Sequence, residues 1–206
     1  MVVIVDYGAG NLTSVSHVLT HLGHEHKISS NPEEILAADH IIFPGVGAAG
    51  SAMAEIKAKG LDKALKLGFE RKIPTLGICV GCQVALESSE EDEGVQCLGI
   101  LEGKVLRFDS QPGVKIPHMG WNTVTAVKDH FLFEGIPDKS EFYFVHSFYP
   151  QASNSEDVIA HTDYAGVEFD AMLGKNNLVL TQCHVEKSGV VGLKLMDNFC
   201  KWGGQC

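Results

Sequence analysis

One cysteine stands between two glycines in Gly77-Ile78-Cys79-Val80-Gly81. The pattern is the cysteine form of the Gly-x-Ser-x-Gly elbow, a sharp strand-to-helix turn that lifts a nucleophile clear of a sheet. Glycines on either side relieve the crowding of such a turn. The thiol would sit at a helix N-terminus, where the dipole favours thiolate. The Val80 amide would point to where an oxyanion forms. A cysteine nucleophile needs a base. Thr181-Gln182-Cys183-His184-Val185-Glu186 offers one at the end of a predicted strand. His184 would take the thiol proton, and Glu186 would fix its tautomer and stabilise the imidazolium. In an extended segment, period two puts both side chains on one side.

Other readings of Cys79 stand beside this one. Free cysteines are often buried and inert. Cys79-x-x-Cys82 also has the spacing of a redox motif or of half a metal site. The Trp or Pro neighbours usual in the redox motif are missing, and no second Cys-x-x-Cys or His-x-x-x-His follows at zinc spacing. No metal and no cofactor are therefore expected. His130, His161 and the group His21, His24 and His26 lack comparable context, and are read as surface or internally satisfied residues.

Groups so far apart in sequence must be brought together by the elements between them. Val2–Val5 is a continuous apolar run, as in a strand covered on both faces. A turn at Gly8-Ala9-Gly10-Asn11 leads to a helix with Leu12, Val15, Val18, Leu19 and Leu22 on one face, closed by Gly23. His24–Ile28 reads as a strand, and Asn31-Pro32 as a helix start. His40–Phe43 is the next strand and runs into Pro44-Gly45-Val46-Gly47. Ser51–Leu67 reads as one long helix, Pro74–Ile78 as a strand, and Val80–Leu86 as a helix. This βαβαβ order predicts an α/β fold with a mostly parallel central sheet and helices on both faces. Ligands of such sheets lie beyond the carboxyl ends of the strands, where the two glycine turns would stand.

The second half changes character. Glu90–Glu93 is an acidic run read as solvated surface. Short β runs fill 98–127 and 158–181, with Val158–His161, Val167–Leu173 and Leu178–Thr181 as a meander. Phe142–Val145 is another strand, and Gly189–Cys200 a closing helix. These predict smaller antiparallel β elements beside the main sheet, within one domain spanning 1–206.

Composition narrows the function. The chain has 206 residues, 45% of them hydrophobic, which suffices for a buried core. A formal charge of −10 with no basic cluster excludes general nucleic-acid binding. No apolar run reaches membrane-spanning length, and Met1–Asp6 reads as a first strand, not a signal peptide. Cys79, Cys82, Cys97, Cys183, Cys200 and Cys206 are scattered, so reduced thiols in a cytoplasm are expected.

Together these residues resemble the class I (triad) glutamine amidotransferases over nearly the whole chain. The elbow motif stands as Gly77-Ile78-Cys79-Val80-Gly81-Cys82-Gln83, the His-Pro-Glu motif as His184-Val185-Glu186, and the oxyanion loop as Pro44–Gly47. Within the class the chain is most similar to the glutaminase subunits of imidazole glycerol phosphate synthase, of histidine biosynthesis. The motifs that carry this are Asp6-Tyr7-Gly8-Ala9-Gly10-Asn11, Pro117-His118-Met119-Gly120-Trp121-Asn122, Tyr143-Phe144-Val145-His146-Ser147-Phe148 and Glu186-Lys187-Ser188.

The resemblance implies a flavodoxin-like fold and a cysteinyl thioester mechanism that releases ammonia and then glutamate. Cys79, His184 and Glu186 would be catalytic. Gly45, Val46, Gly47 and Val80 would form the oxyanion hole, and Gln83, Ser147 and Phe148 would bind substrate. The implied partner is a (βα)8-barrel cyclase subunit, joined as a heterodimer. Pro117, His118, Met119, Trp121, Asn122 and Lys187 are candidate docking residues, and for Trp121 a place in the core is the alternative. Val185 replaces the family's proline, Cys183 a phenylalanine, Cys82 a methionine and Phe148 a tyrosine. Without the proline, the backbone between His184 and Glu186 is freer. Two alternatives remain open at this point: an amidotransferase feeding another acceptor such as a sugar, and a catalytically silent binding protein on the same fold.

Overall fold

The fold is taken from a computed structural model, which describes residues 1–204; Cys206 lies outside them. Strand β1 (Val2–Val5) is apolar and buried at every position. Helix α1 (Leu12–His21) turns Val15 and Leu19 into the core, and leads to β2 (His26–Ser29), two residues later than its sequence suggests. Asn31 caps α2 (Pro32–Leu36) by accepting from the Glu33 amide. Strand β3 (His40–Gly45) follows.

The expected long helix is two, α3 (Ala49–Ala58) and α4 (Leu61–Glu70). Gly60 between them takes φ 68°, the left-handed conformation that ends helices. Then come β4 (Thr75–Cys79) and α5 (Val80–Ala85), joined with no residue between.

The second half supplies β5 (Ser88–Ser89), β6 (Val95–Gln96), β7 (Gly103–Arg107), β8 (His118–Thr123), β9 (Thr125–Ala126), β10 (Glu141–His146) and β11 (Phe148–Ala152). After these come β12 (Val158–Tyr164), β13 (Val167–Lys175), β14 (Leu178–Thr181) and α6 (Gly189–Cys200).

Eight strands form the main sheet in the order β2-β1-β3-β4-β14-β13-β12-β9. The strands from β2 to β14 pair in parallel, and those from β14 to β9 antiparallel. The meander is therefore no separate element but the continuation of the central sheet. Two smaller sheets lie outside it: β10-β8, and β11-β7-β5-β6. The chain leaves β1 toward β2 on one side and returns to β3 and β4 on the other. Right-handed crossovers in opposite directions cover opposite faces. Accordingly α1 packs with α6, while α4 packs with α2 and α3. Among the described residues no helix is long and apolar enough to cross a membrane.

Candidate active site

Strand register assembles the site. β3 pairs with β4 so that Gly45 lies opposite Cys79. β14 pairs with the other edge of β4, with Thr181 opposite Ile78. The glycine loop, the elbow and the histidine segment thus emerge side by side at the carboxyl ends of three adjacent parallel strands.

The elbow is strained and tightly packed. Cys79 adopts φ 53° and ψ −110°, a conformation that costs a non-glycine residue roughly 1–3 kcal/mol. A Cβ on Gly81 would stand 1.9 Å from the Phe43 carbonyl oxygen, and one on Gly77 2.6 Å from Leu180 Cδ2. A Cβ on Gly45 would meet the Tyr7 hydroxyl at 2.6 Å and the Gly81 nitrogen at 2.7 Å. The glycine loop therefore lies directly on the elbow because neither carries a side chain there.

His184 and Glu186 meet, but not by strand alternation. β14 ends at Thr181, and Val185–Lys187 is a single 3-10 turn with His184 at its N-cap. The turn swings Glu186 back, so that His184 Nδ1 and Glu186 Oε1 stand 2.7 Å apart, with both side chains buried. The family's proline is absent, yet the backbone is pinned. His184 N donates to the Tyr143 carbonyl at 2.8 Å. Ser188 Oγ donates to the His184 carbonyl at 2.7 Å and accepts from Tyr143 N at 3.0 Å. Val185 itself is buried against α6, where a Cβ on Gly192 would come 2.0 Å from its carbonyl oxygen.

Burial alone would lower the His184 pKa. Hydrogen bonds and charge from Cys79 and Glu186 outweigh it and raise the imidazole to about 10. The imidazole thus bridges the sulfur and the carboxylate. Cys79 and Cys82 are not joined to each other in this structure. Both thiols are free, and Cys82 packs in a separate apolar cluster with Leu101, Leu178 and Leu180. Of the other histidines, His24 pairs with Asp197 at 3.0 Å and His26 with Ser16 at 2.8 Å, while His161 lies 3.2 Å from Asp170 without a hydrogen bond on its buried Nδ1, and His21 is exposed.

A cavity of about 330 Å³ opens over Cys79. Val46, Gly47, Val80, Gln83, Ser147, Phe148 and His184 line it; so does Pro117, one of the docking candidates, whereas Gly45 does not. Gln83 is buried, and its amide nitrogen donates to the Phe148 carbonyl and to Gln182 Oε1, both at 2.9 Å. The residue missed from sequence is Glu91, the one carboxylate lining this cavity. The acidic run is not merely solvated. Glu91 Oε2 accepts from Ala49 N at 2.7 Å, and Asp92 Oδ2 from Gly50 N at 3.2 Å, which caps α3. Burial raises the Glu91 pKa. Nothing in Glu90–Glu93 marks one glutamate as different, so no sequence signal would have found it. A larger groove of about 530 Å³ lies over 124–142, away from Cys79.

The six candidate docking residues separate. Met119 is 64% exposed and Trp121 53%, so Trp121 is not a core tryptophan. Pro117 and Lys187 are exposed and Asn122 half-buried. His118 does not belong with them. It points inward, stacked on Tyr164 at 3.9 Å and hydrogen-bonded through Nδ1 to His146 Nε2 at 3.0 Å. Burial pushes His118 down to about 4 and His146 to about 3, so both are neutral at ordinary pH.

Comparison with known proteins gives the family and the fold. The family model for glutamine amidotransferase class-I matches residues 3–201. "Imidazole glycerol phosphate synthase subunit HisH" of Dehalococcoides mccartyi (strain CBDB1) is 50% identical over 98% of this chain and 97% of its own. "Imidazole glycerol phosphate synthase subunit HisH 1" of Pseudomonas aeruginosa is 44% identical over 99% and 98%. Among solved structures, PurLQS from Thermotoga maritima superposes with a TM-score of 0.75 at 19% identity, covering 97% of each chain. A structure described as glutamine amidotransferase gives 0.74 at 19%, covering 99% of this chain and all of the other. At that identity the structures speak to the fold alone. The chain belongs to the class-I glutamine amidotransferases, in the family of the HisH subunit of imidazole glycerol phosphate synthase.

Proposed function

We propose that this chain is the glutaminase subunit of an imidazole glycerol phosphate synthase. It hydrolyses glutamine and passes the ammonia to a (βα)8-barrel cyclase held as a heterodimer in the cytoplasm. Residues 1–206 act as one amidotransferase domain. The observation that carries the reading is the buried Cys79–His184–Glu186 constellation at the floor of a cavity sized for an amino acid.

The Cys79 thiolate attacks the side-chain amide carbonyl of glutamine. The Val80 amide and the Gly45–Val46–Gly47 backbone take the developing oxyanion. His184 gives a proton to the leaving nitrogen and later takes one from the water that releases glutamate. Glu186 holds the imidazole in register. The Ser147–Phe148 backbone binds the amino-acid end, and Glu91 is placed to pair with the α-ammonium. Half-exposed Trp121 beside Met119 has the chemistry of a docking anchor, with Pro117, Asn122 and Lys187 around it.

The test combines the chain, a barrel cyclase subunit and glutamine. Imidazole glycerol phosphate and glutamate should form together, and a glutamine-like diazoketone should alkylate the Cys79 sulfur with loss of N2, adding the reagent's mass less N2 to the Cys79 peptide. Amidation of a sugar acceptor with no cyclase product would favour the other acceptor. No adduct at Cys79 would favour the silent binding protein.

Glu91→Gln probes the ammonium site without disturbing the α3 cap, because the amide oxygen still accepts from Ala49. Losing a charged hydrogen bond should raise KM for glutamine roughly tenfold or more, with kcat much less affected. Because burial raises the Glu91 pKa, the native KM should also climb as pH falls, starting at a higher pH than for an exposed carboxylate. Steady-state kinetics across pH read both effects, and an unchanged KM in the variant would remove Glu91 from the substrate site.

A further inference from the structure

We propose that Gln182 is a further catalytic residue, an N–H donor to the Cys79 sulfur whose orientation is dictated, through Gln83, by the Phe148 carbonyl. The inference rests on the reading of Cys79 as the nucleophile. Gln182 is fully buried, and its Nε2 lies 3.7 Å from Cys79 Sγ. Its Oε1 lies 2.9 Å from Gln83 Nε2, which is also 2.9 Å from the Phe148 carbonyl oxygen.

The polarity of this chain is forced. A side-chain amide can be turned end for end, but a carbonyl oxygen only accepts. Gln83 must therefore present its nitrogen to Phe148. The same nitrogen then spends its second hydrogen on Gln182, so Gln182 must present its oxygen to Gln83 and its nitrogen to the sulfur. Were the Gln182 amide reversed, its oxygen would repel a thiolate and its nitrogen would oppose another donor.

The fixed end of the chain is itself held. The Phe148 carbonyl also accepts from His146 Nδ1 at 2.7 Å. That assigns His146 Nε2 as an acceptor from His118 Nδ1, and His118 Nε2 as an acceptor from Asn122 Nδ2 at 3.2 Å. Two hydrogen-bond arms thus converge on one carbonyl. One begins on the strand that exposes Trp121, and the other ends on the nucleophile.

The titratable groups around the sulfur are Tyr7, Cys82, Cys183 and His184, with Glu186 behind the imidazole and with Glu91 and His146 lining the cavity above it. Burial raises the first three, so they stand neutral. The sulfur is thus flanked by the His184 imidazole on one side and the Gln182 amide on the other.

The test is the pH profile of Cys79 alkylation by iodoacetamide in the full chain, read by mass spectrometry of the Cys79 peptide. It needs neither glutamine nor a partner. Gln182→Met keeps length and flexibility but has no N–H. Its alkylation midpoint should rise by about one pH unit, roughly tenfold less thiolate below the midpoint. Gln83→Met should shift it the same way by less, because Gln182 stays but loses its orientation. Glutamate release by the partnered Gln182→Met chain should recover as pH passes the raised midpoint, which a merely structural defect would not do. If Gln182→Met fails to fold, Gln182→Leu carries the same expectation. An unmoved midpoint in the folded variant overturns the role of Gln182. Retained glutamate release by Cys79→Ala instead overturns the nucleophile reading, so the two failures are distinct.

Discussion

Replacing Cys79 by alanine should lower glutamate release by the partnered chain ~10⁴-fold or more. His184→Ala should cost about as much, and the double variant little more than either. The three groups act as one unit: a thiol without its base and a base without its thiol are equally idle. The geometry makes the coupling specific. His184 Nδ1 is committed to Glu186 at 2.7 Å, which leaves the other ring nitrogen for the sulfur. Glu186→Gln should cost less, ~10²-fold, because the amide oxygen still accepts from Nδ1 but no longer offsets the imidazolium charge. It should also draw the His184 pKa down from about 10, since Glu186 is one of the two groups that raise it. The sign for stability follows. A histidine raised on folding contributes stability that is fully present below its unfolded value of about 6.5. That contribution is lost as pH climbs through about 10. Glutamate assays with the three single variants and the double variant check the first claim, and additive losses would break the triad.

The half of the fold that was legible is the half in which pairing is parallel and burial two-sided. Strands β1, β3 and β4 leave uninterrupted apolar runs, and their glycine turns mark their carboxyl ends. Cys79, Val80 and the Gly45–Gly47 loop could be placed for that reason. The second half was legible as strands but not as a sheet. β5, β6 and β9 are two residues each and are fixed by distant partners. Nothing local says that β14 joins β4 and carries the meander into the central sheet. His184 and Glu186 do meet, but by another local route than the one read from sequence, since a 3-10 turn, not a strand, brings them together. His118 was misplaced because its motif faces outward at Met119 and Trp121 but inward at His118, the alternation of β8. Glu91 could not be read at all. Its place depends on a bond to Ala49 made only once α3 is packed.

Gly81→Ala should be severely damaging, destabilising by about 3 kcal/mol or more. The new Cβ would lie 1.9 Å from the Phe43 carbonyl oxygen. That oxygen belongs to β3, a buried strand paired on both edges, so it cannot retreat alone. Relief requires α5 to lift from the sheet, and α5 begins at the residue after Cys79. Gly77→Ala is the matched control. Its nearest contact at 2.6 Å is the far end of the flexible Leu180 side chain, and the Gly81 carbonyl oxygen stands at 3.1 Å. It should cost about 1 kcal/mol, so the two variants differ by roughly 2 kcal/mol, or about 4–8 °C in Tm for a chain of this size. Because the elbow moves with α5, whatever Gly81→Ala protein folds should also alkylate Cys79 with an altered pH profile, while Gly77→Ala should keep the native one. Equal melting temperatures would mean that α5 yields without cost, and that the approach of helix to strand at Gly81 does not hold the nucleophile in its strained conformation.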